Sequence, residues 1–269
     1  MKAALPLSWM GNSSENKMLL SLLQGGFDKF ELIQVLMMIP IVLFSLSFHE
    51  FSHGFIAYKC GDNTARNFGR LTLNPTKHLD PIGALMMLFI GFGWAKPVPV
   101  NTRNFKNPKR DFALVALAGP VSNLILALVS CGLLCLSAWL FDIRLIFESG
   151  ILKYASITEI SNIATVTLTF FYIFTLLNIG LAVFNLIPLP PLDGSRLVSA
   201  LLPPKLSYSY SKITDYTRYI FLFLILSSYI PFRIGNFSSI SDLFFYPLDL
   251  FRELIMSGYI NLFSLIFGW

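Results

Sequence analysis

Apolar residues in this chain fall in long runs separated by short polar stretches. Leu32 to Tyr58, Phe112 to Leu140 and Ile163 to Ile187 each reach the roughly 20 residues a helix needs to cross a hydrocarbon layer. His49, Glu50 and His53 interrupt the second half of the first run. Tyr219 to Ile234 is a shorter fourth candidate, and Leu243 to Phe267 a fifth, interrupted by Asp249, Arg252 and Glu253. Met18 to Leu23 is too short to span and is expected at the interface. Pro81 to Gly93 is apolar but about half the spanning length, and it carries Gly83, Gly91 and Gly93. Such a segment is expected to be re-entrant or strand-like, which at membrane depth requires a protein or water-filled setting. The pattern predicts an all-α polytopic membrane protein, with about five to six transmembrane helices and a short membrane-embedded segment near 81–93. It divides the chain into a polar or interfacial stretch over 1–30, an intramembrane core over 31–204 and C-terminal membrane helices over 205–269.

Composition supports this class. Hydrophobic residues make up 55% of the chain and charged residues 13%, with mean hydropathy +0.65. Soluble domains carry about 25% charged residues, so half that amount leaves too little polar surface, and a lipid bilayer must solvate much of the molecule. The net charge is +5, but Lys and Arg are spread over loops rather than gathered in a basic helix, which argues against nucleic acid. Lys59, Arg66, Arg70 and Lys77, and then Lys96, Arg103, Lys106, Lys109 and Arg110, flank the short apolar segment. Positive loops favour the cytoplasm, which puts the N-terminus outside and the His49 end of the first helix toward the cytoplasm. A multi-pass protein of the bacterial cytoplasmic membrane is expected, its site facing the cytoplasmic side. Cys60, Cys131 and Cys135 form no disulfide framework, and the latter two are expected to pack. No cleavable signal peptide is expected in Met1 to Lys17.

The polar interruption of the first run carries the chemistry. His49-Glu50-Phe51-Ser52-His53 places two imidazoles four residues apart, one above the other on a helix. Two rings so placed can share one zinc ion, with Glu50 able to reach a water on that ion. The bland alternative is a histidine pair satisfied by interhelical hydrogen bonds, with Glu50 as a proton relay, but ionisable groups inside a membrane helix usually mark function. A catalytic zinc takes three protein ligands. The candidate third is Asp193, which closes an apolar run behind Pro188, Pro190 and Pro191; its alternative role is a helix N-cap. His78, beside Asp80, is expected at the surface or stabilising a loop.

His49 to His53, together with Asn185-Leu186-Ile187-Pro188-Leu189-Pro190-Pro191-Leu192-Asp193-Gly194, resembles the site-2 protease family of intramembrane zinc metalloproteases. Its hallmarks are H-E-x-x-H on one transmembrane helix and N-x-x-P-x-P-x-L-D-G on another. Gly119-Pro120-Val121-Ser122-Asn123 is similar to the G-P-x-x-N element between them. Residues 57–107 are similar to the short bacterial branch without a PDZ insert. The resemblance covers roughly Leu32 to Pro204. It implies one zinc ion held by His49, His53 and Asp193, Glu50 as general base, and Asn185 holding the substrate or its developing oxyanion. Asn123 is expected to support the site structurally. The implied reaction is regulated intramembrane proteolysis, in which transmembrane protein substrates are cut in or near their spans. Hydrolysis then demands a polar path from the cytoplasmic side. A substrate helix must unwind, and the embedded segment could pair with it as an added strand. The competing class is a metal or proton-coupled transporter using the same His, Glu and Asp cluster, but no internal repeat of the kind many transporters carry is evident. A catalytically silent client-binding relative is opposed by the intact Glu50. The substrate and the oligomeric state stay open.

Overall fold

The structure is a computed structural model that describes residues 2–3, 29–83, 94–148, 151–156, 162–213 and 240–268, with isolated positions between 216 and 227. In chain order the helices are α1 (Lys29–Lys59), α2 (Thr64–Asn67), α3 (Pro108–Leu140), α4 (Asn162–Asn185), α5 (Asp193–Leu201), α6 (Pro204–Ser211) and α7 (Ile240–Phe267). The strands are β1 (Lys2–Ala3), β2 (Trp94–Ala95), β3 (Ile143–Glu148) and β4 (Ile151–Ser156). Among the described residues, four helices are long and apolar enough to cross a membrane: α1 from Leu32, α3, α4 from Ile163, and α7 from Phe245. Of the expected segments, Met18 to Leu23, most of Pro81 to Gly93 and most of Tyr219 to Ile234 lie outside the described residues.

The spanning helices bury one face and leave another apolar. Along α3, Ala127, Cys131, Leu134, Cys135 and Ala138 are buried, while Leu114, Val121, Ile125, Val129, Leu133 and Leu136 are exposed. A water-soluble protein does not leave such a stripe uncovered along a helix of 33 residues; lipid is its natural solvent. The buried face of α3 packs with Leu176, Ile179 and Val183 of α4 and Met256 and Ile260 of α7. A second cluster joins Ile41 and Val42 of α1 to Leu177, Leu181 and Phe184 of α4 and Phe245 of α7. Cys131 and Cys135 are packing residues, as expected.

Two connections bear on the site. The stretch between α3 and α4 contains an antiparallel hairpin, with Ile143 opposite Ser156 and Glu148 opposite Ile151. Its alternation is short: Ile143 and Leu145 are buried while Arg144 is exposed. Among the described residues, the connection between α1 and α3 is pinned by side chains rather than by long elements. Asp62 is buried and accepts from the amides of Thr64 (3.1 Å) and Asn101 (2.7 Å), from the Asn104 Nδ2 (2.8 Å) and from the Thr64 hydroxyl. Burial alone would raise the Asp62 pKa, but these hydrogen bonds outweigh it and hold the carboxyl below its ordinary value. His78 is buried, with Nε2 2.7 Å from the Thr72 carbonyl, while its own carbonyl accepts from the Lys96 amide at 2.8 Å. It stabilises the loop and does not sit at the surface. Strand β2 pairs antiparallel with β1, Lys2 opposite Ala95.

Candidate metal centre

His49, Glu50 and His53 sit on α1 where it packs against α3, and all three are buried. The two imidazole centroids are 4.7 Å apart and nearly perpendicular. Asp193 reaches them from the first residue of α5. It is not an N-cap: Leu192 occupies that position. Its Oδ2 lies 3.1 Å from His49 Nε2 and 3.0 Å from His53 Nε2, and the two Nε2 atoms are 3.0 Å apart. Among the described residues these are the three donors that converge as a possible metal site.

Hydrogen-bond chemistry decides whether the cluster suits a cation. His53 Nδ1 lies 2.6 Å from the Val115 carbonyl oxygen. A carbonyl only accepts, so Nδ1 carries the proton and Nε2 presents a lone pair. His49 Nδ1 faces Asn123 Oδ1 at 2.5 Å and is in the same state. In the neutral rings two imidazole lone pairs and a carboxylate oxygen therefore point at one another inside a buried pocket, and a shared cation, whether a metal ion or a proton, relieves their repulsion. Tetrahedral zinc with bonds of about 2.0–2.1 Å sets its ligand atoms about 3.3 Å apart, close to the spacing here. The residues fit zinc.

Two glycines make this approach possible. A Cβ on Gly119 would lie 2.5 Å from His49 Cε1 and Nε2 and would overlap His53 Nε2 as well. Only glycine lets α3 come so near both rings. A Cβ on Gly194 would meet the carbonyl oxygen of Ile187 at 2.5 Å and that of Leu186, so the turn after α4 closes onto α5 only without a side chain. The three prolines fill that turn and remove donors that would continue the helix. The Arg196 guanidinium stands 3.9 Å from Asp193 Oδ1.

Glu50 also reaches the connection between α1 and α3. Its Oε2 accepts from the Val98 amide at 2.9 Å. Pro97 and Pro99 have no N–H, so Val98 carries the lone backbone donor of that three-residue stretch. Asn123 is fully buried, and its Nδ2 donates to Asn178 Oδ1 at 2.8 Å. Asn185 is buried at the end of α4; its Nδ2 donates to the Leu181 carbonyl at 2.9 Å, and its Oδ1 has no partner among the described residues. The structure thus brings together His49, His53, Asp193 and Asn123, sets Glu50 beside Val98, and leaves Asn185 bonded within its own helix. Asn178 and Val98 are contacts that the sequence did not single out. An asparagine inside an apolar run was the available signal for the first.

Comparison with known proteins agrees with the geometry. The family model for Peptidase family M50 matches residues 37–227. The chain is 42% identical over 199 residues to "Putative zinc metalloprotease YwhC" of Bacillus subtilis, covering 72% of this chain and 84% of that protein. It is 31% identical to "Putative zinc metalloprotease Rip2" of Mycobacterium tuberculosis over 69% of this chain and 64% of that one. The Rip2 protein of Mycolicibacterium smegmatis is also 31% identical, over 61% of this chain and 56% of its own length. No solved structure matches the chain. The transporter alternative gives way to this agreement. A membrane-spanning helical chain whose family match runs from α1 past the aspartate turn is a site-2 protease-like zinc metalloprotease, and it belongs to peptidase family M50.

Proposed function

We propose that the protein hydrolyses peptide bonds in or near the transmembrane segments of membrane protein substrates. One zinc ion would be held by His49, His53 and Asp193. The observation that carries this reading is the convergence of three buried acceptors with both histidine Nδ1 atoms already committed. Bound there, zinc supplies a water that is nucleophilic at neutral pH and an electrophile for the scissile carbonyl. Glu50 serves as general base: its carboxylate takes the proton of the attacking water and returns it to the leaving amine. The Val98 amide holds one carboxylate oxygen in place. Asn185, whose buried Oδ1 has no partner among the described residues, would accept from a backbone N–H of the substrate; to donate to its developing charge, Nδ2 would leave the Leu181 carbonyl.

The Val98 stretch continues from β2, whose Ala95 pairs with Lys2 and bridges to Leu79. A substrate helix would have to unwind to present its backbone to the site, and would lie there as an added strand. The basic connections around it support a site opening to the cytoplasmic side of the cell membrane. The test is cleavage of a panel of single-span proteins in detergent. Glu50→Gln should keep the zinc content of the wild type and lose cleavage. Equal cleavage by both forms would overturn the assignment of Glu50.

A further inference from the structure

Behind His49 the polar contacts do not stop at Asn123. Asn123 Nδ2 donates to Asn178 Oδ1 on α4 at 2.8 Å, and Asn178 Nδ2 donates to the Phe174 carbonyl and to Ser45 Oγ of α1, both at 2.9 Å. Ser45, Asn123 and Asn178 are each fully buried. We propose that Asn178 is a positioning residue for the metal centre: through Asn123 it sets which nitrogen of His49 carries the proton. The proposal rests on the zinc reading above.

The argument is one of polarity. The Phe174 carbonyl can only accept, so the Asn178 atom facing it must be Nδ2. Asn178 Oδ1 is then the atom presented to Asn123, and it too can only accept. Asn123 must answer with Nδ2, which turns its own Oδ1 to His49. His49 Nδ1 must therefore hold the proton, leaving Nε2 as a lone pair toward His53 and Asp193. A backbone carbonyl on α4 thus dictates, through two amides, the tautomer of a ring on α1. Without Asn178 the Asn123 amide is free to turn over and donate to His49 Nδ1. The proton then moves to Nε2, where it blocks the metal. Groups behind metal-bound histidines typically contribute about 10- to 100-fold in affinity.

The test uses the full chain in detergent and two readouts. The first is the long-range 1H–15N correlation of 15N-histidine in zinc-free protein, simple here because the chain has three histidines. The second is the zinc dissociation constant, measured by competition with a fluorescent chelator. Wild type should show His49 as one Nδ1–H tautomer. Asn178→Leu should show both tautomers and bind zinc about 10- to 100-fold more weakly. In an Asn123→Asp background the same Asn178→Leu change should cost no affinity, because a carboxylate presents only acceptors to His49 whichever way it turns. A single tautomer with unchanged affinity in Asn178→Leu would overturn the proposal. So would equal losses in both backgrounds, since a packing role is additive. If Asn178→Leu fails to give a monodisperse protein, Asn178→Ala is scored by the same two criteria. Wild type that holds the Nδ1–H tautomer yet binds no zinc would sink the zinc reading while leaving the tautomer relay standing.

Discussion

Gly119→Ala is the sharpest perturbation of the site, because it adds one methyl group and removes nothing. The new Cβ would sit 2.5 Å from two atoms of the His49 ring and would also overlap the His53 Nε2. Carbon atoms in contact stay about 3.5 Å apart, so the rings or α3 must give by about 1 Å. The rings are the softer partner in principle, being side-chain ends. Here they are held from behind, His49 by Asn123 and His53 by the Val115 carbonyl, and swinging away breaks those bonds. Metal–ligand distances tolerate only about 0.2 Å, and a 1 Å misplacement in an active site costs about 100-fold in rate. Alanine in place of a helical glycine otherwise favours the helix by about 1 kcal/mol, against an overpacking cost of about 1–3 kcal/mol. The expected result is a folded protein with little change in thermal midpoint, sub-stoichiometric zinc and cleavage down about 100-fold. Zinc would be read by elemental analysis of the purified protein, and cleavage with single-span substrates. Stoichiometric zinc with cleavage within about twofold of wild type would refute the claim that this glycine sets the spacing of the centre.

Further expectations follow from the same contacts. Asp193→Ala should lose stoichiometric zinc while still folding, as elemental analysis and size-exclusion profiles would show; retained zinc would remove Asp193 from the ligand set. Gly194→Ala sets a methyl group against backbone oxygens rather than ring ends, so it should lower the thermal midpoint in detergent, by about 1–3 kcal/mol of stability. Asp62→Ala removes the shared acceptor of the Thr64, Asn101 and Asn104 donors, each hydrogen bond contributing about 1 kcal/mol, and should open the stretch from Trp94 to Asn107 to limited proteolysis at neutral pH. The acid dependence of wild type has a definite sign. The folded carboxyl titrates below its ordinary value of 3.8, so the Asp62 contribution is complete above that pH and fades as pH falls through the lower folded value. Proteolytic protection of that stretch should therefore persist down to about pH 4 in wild type and be absent throughout in Asp62→Ala.

The spanning helices and the candidate metal ligands stood out in the sequence for a shared reason: both are costly in their setting. Long apolar runs have no other solvent than lipid, and His49, Glu50, His53 and Asp193 have no reason to enter such runs without a function to serve. What the sequence hid follows from the same logic turned around. The hairpin from Ile143 to Ser156 is too short for its alternation to stand out, and a charged, mixed stretch between two spans resembles any loop. The Val98 contact to Glu50 is a backbone interaction, and a backbone amide leaves no trace in residue identity; only the flanking Pro97 and Pro99 hint that a single donor is left there. Asn178 is the instructive case. It is as anomalous in its apolar run as His49 is in its own, yet an asparagine bonds within a helix cheaply, as Asn185 does with Leu181. Its meaning depends on two partners, Asn123 on α3 and Ser45 on α1, that lie 55 and 133 residues away in the chain. Polar residues in membrane helices announce that something must satisfy them. Only the packing of α1, α3 and α4 shows that here the satisfaction runs in one direction and ends at the metal centre.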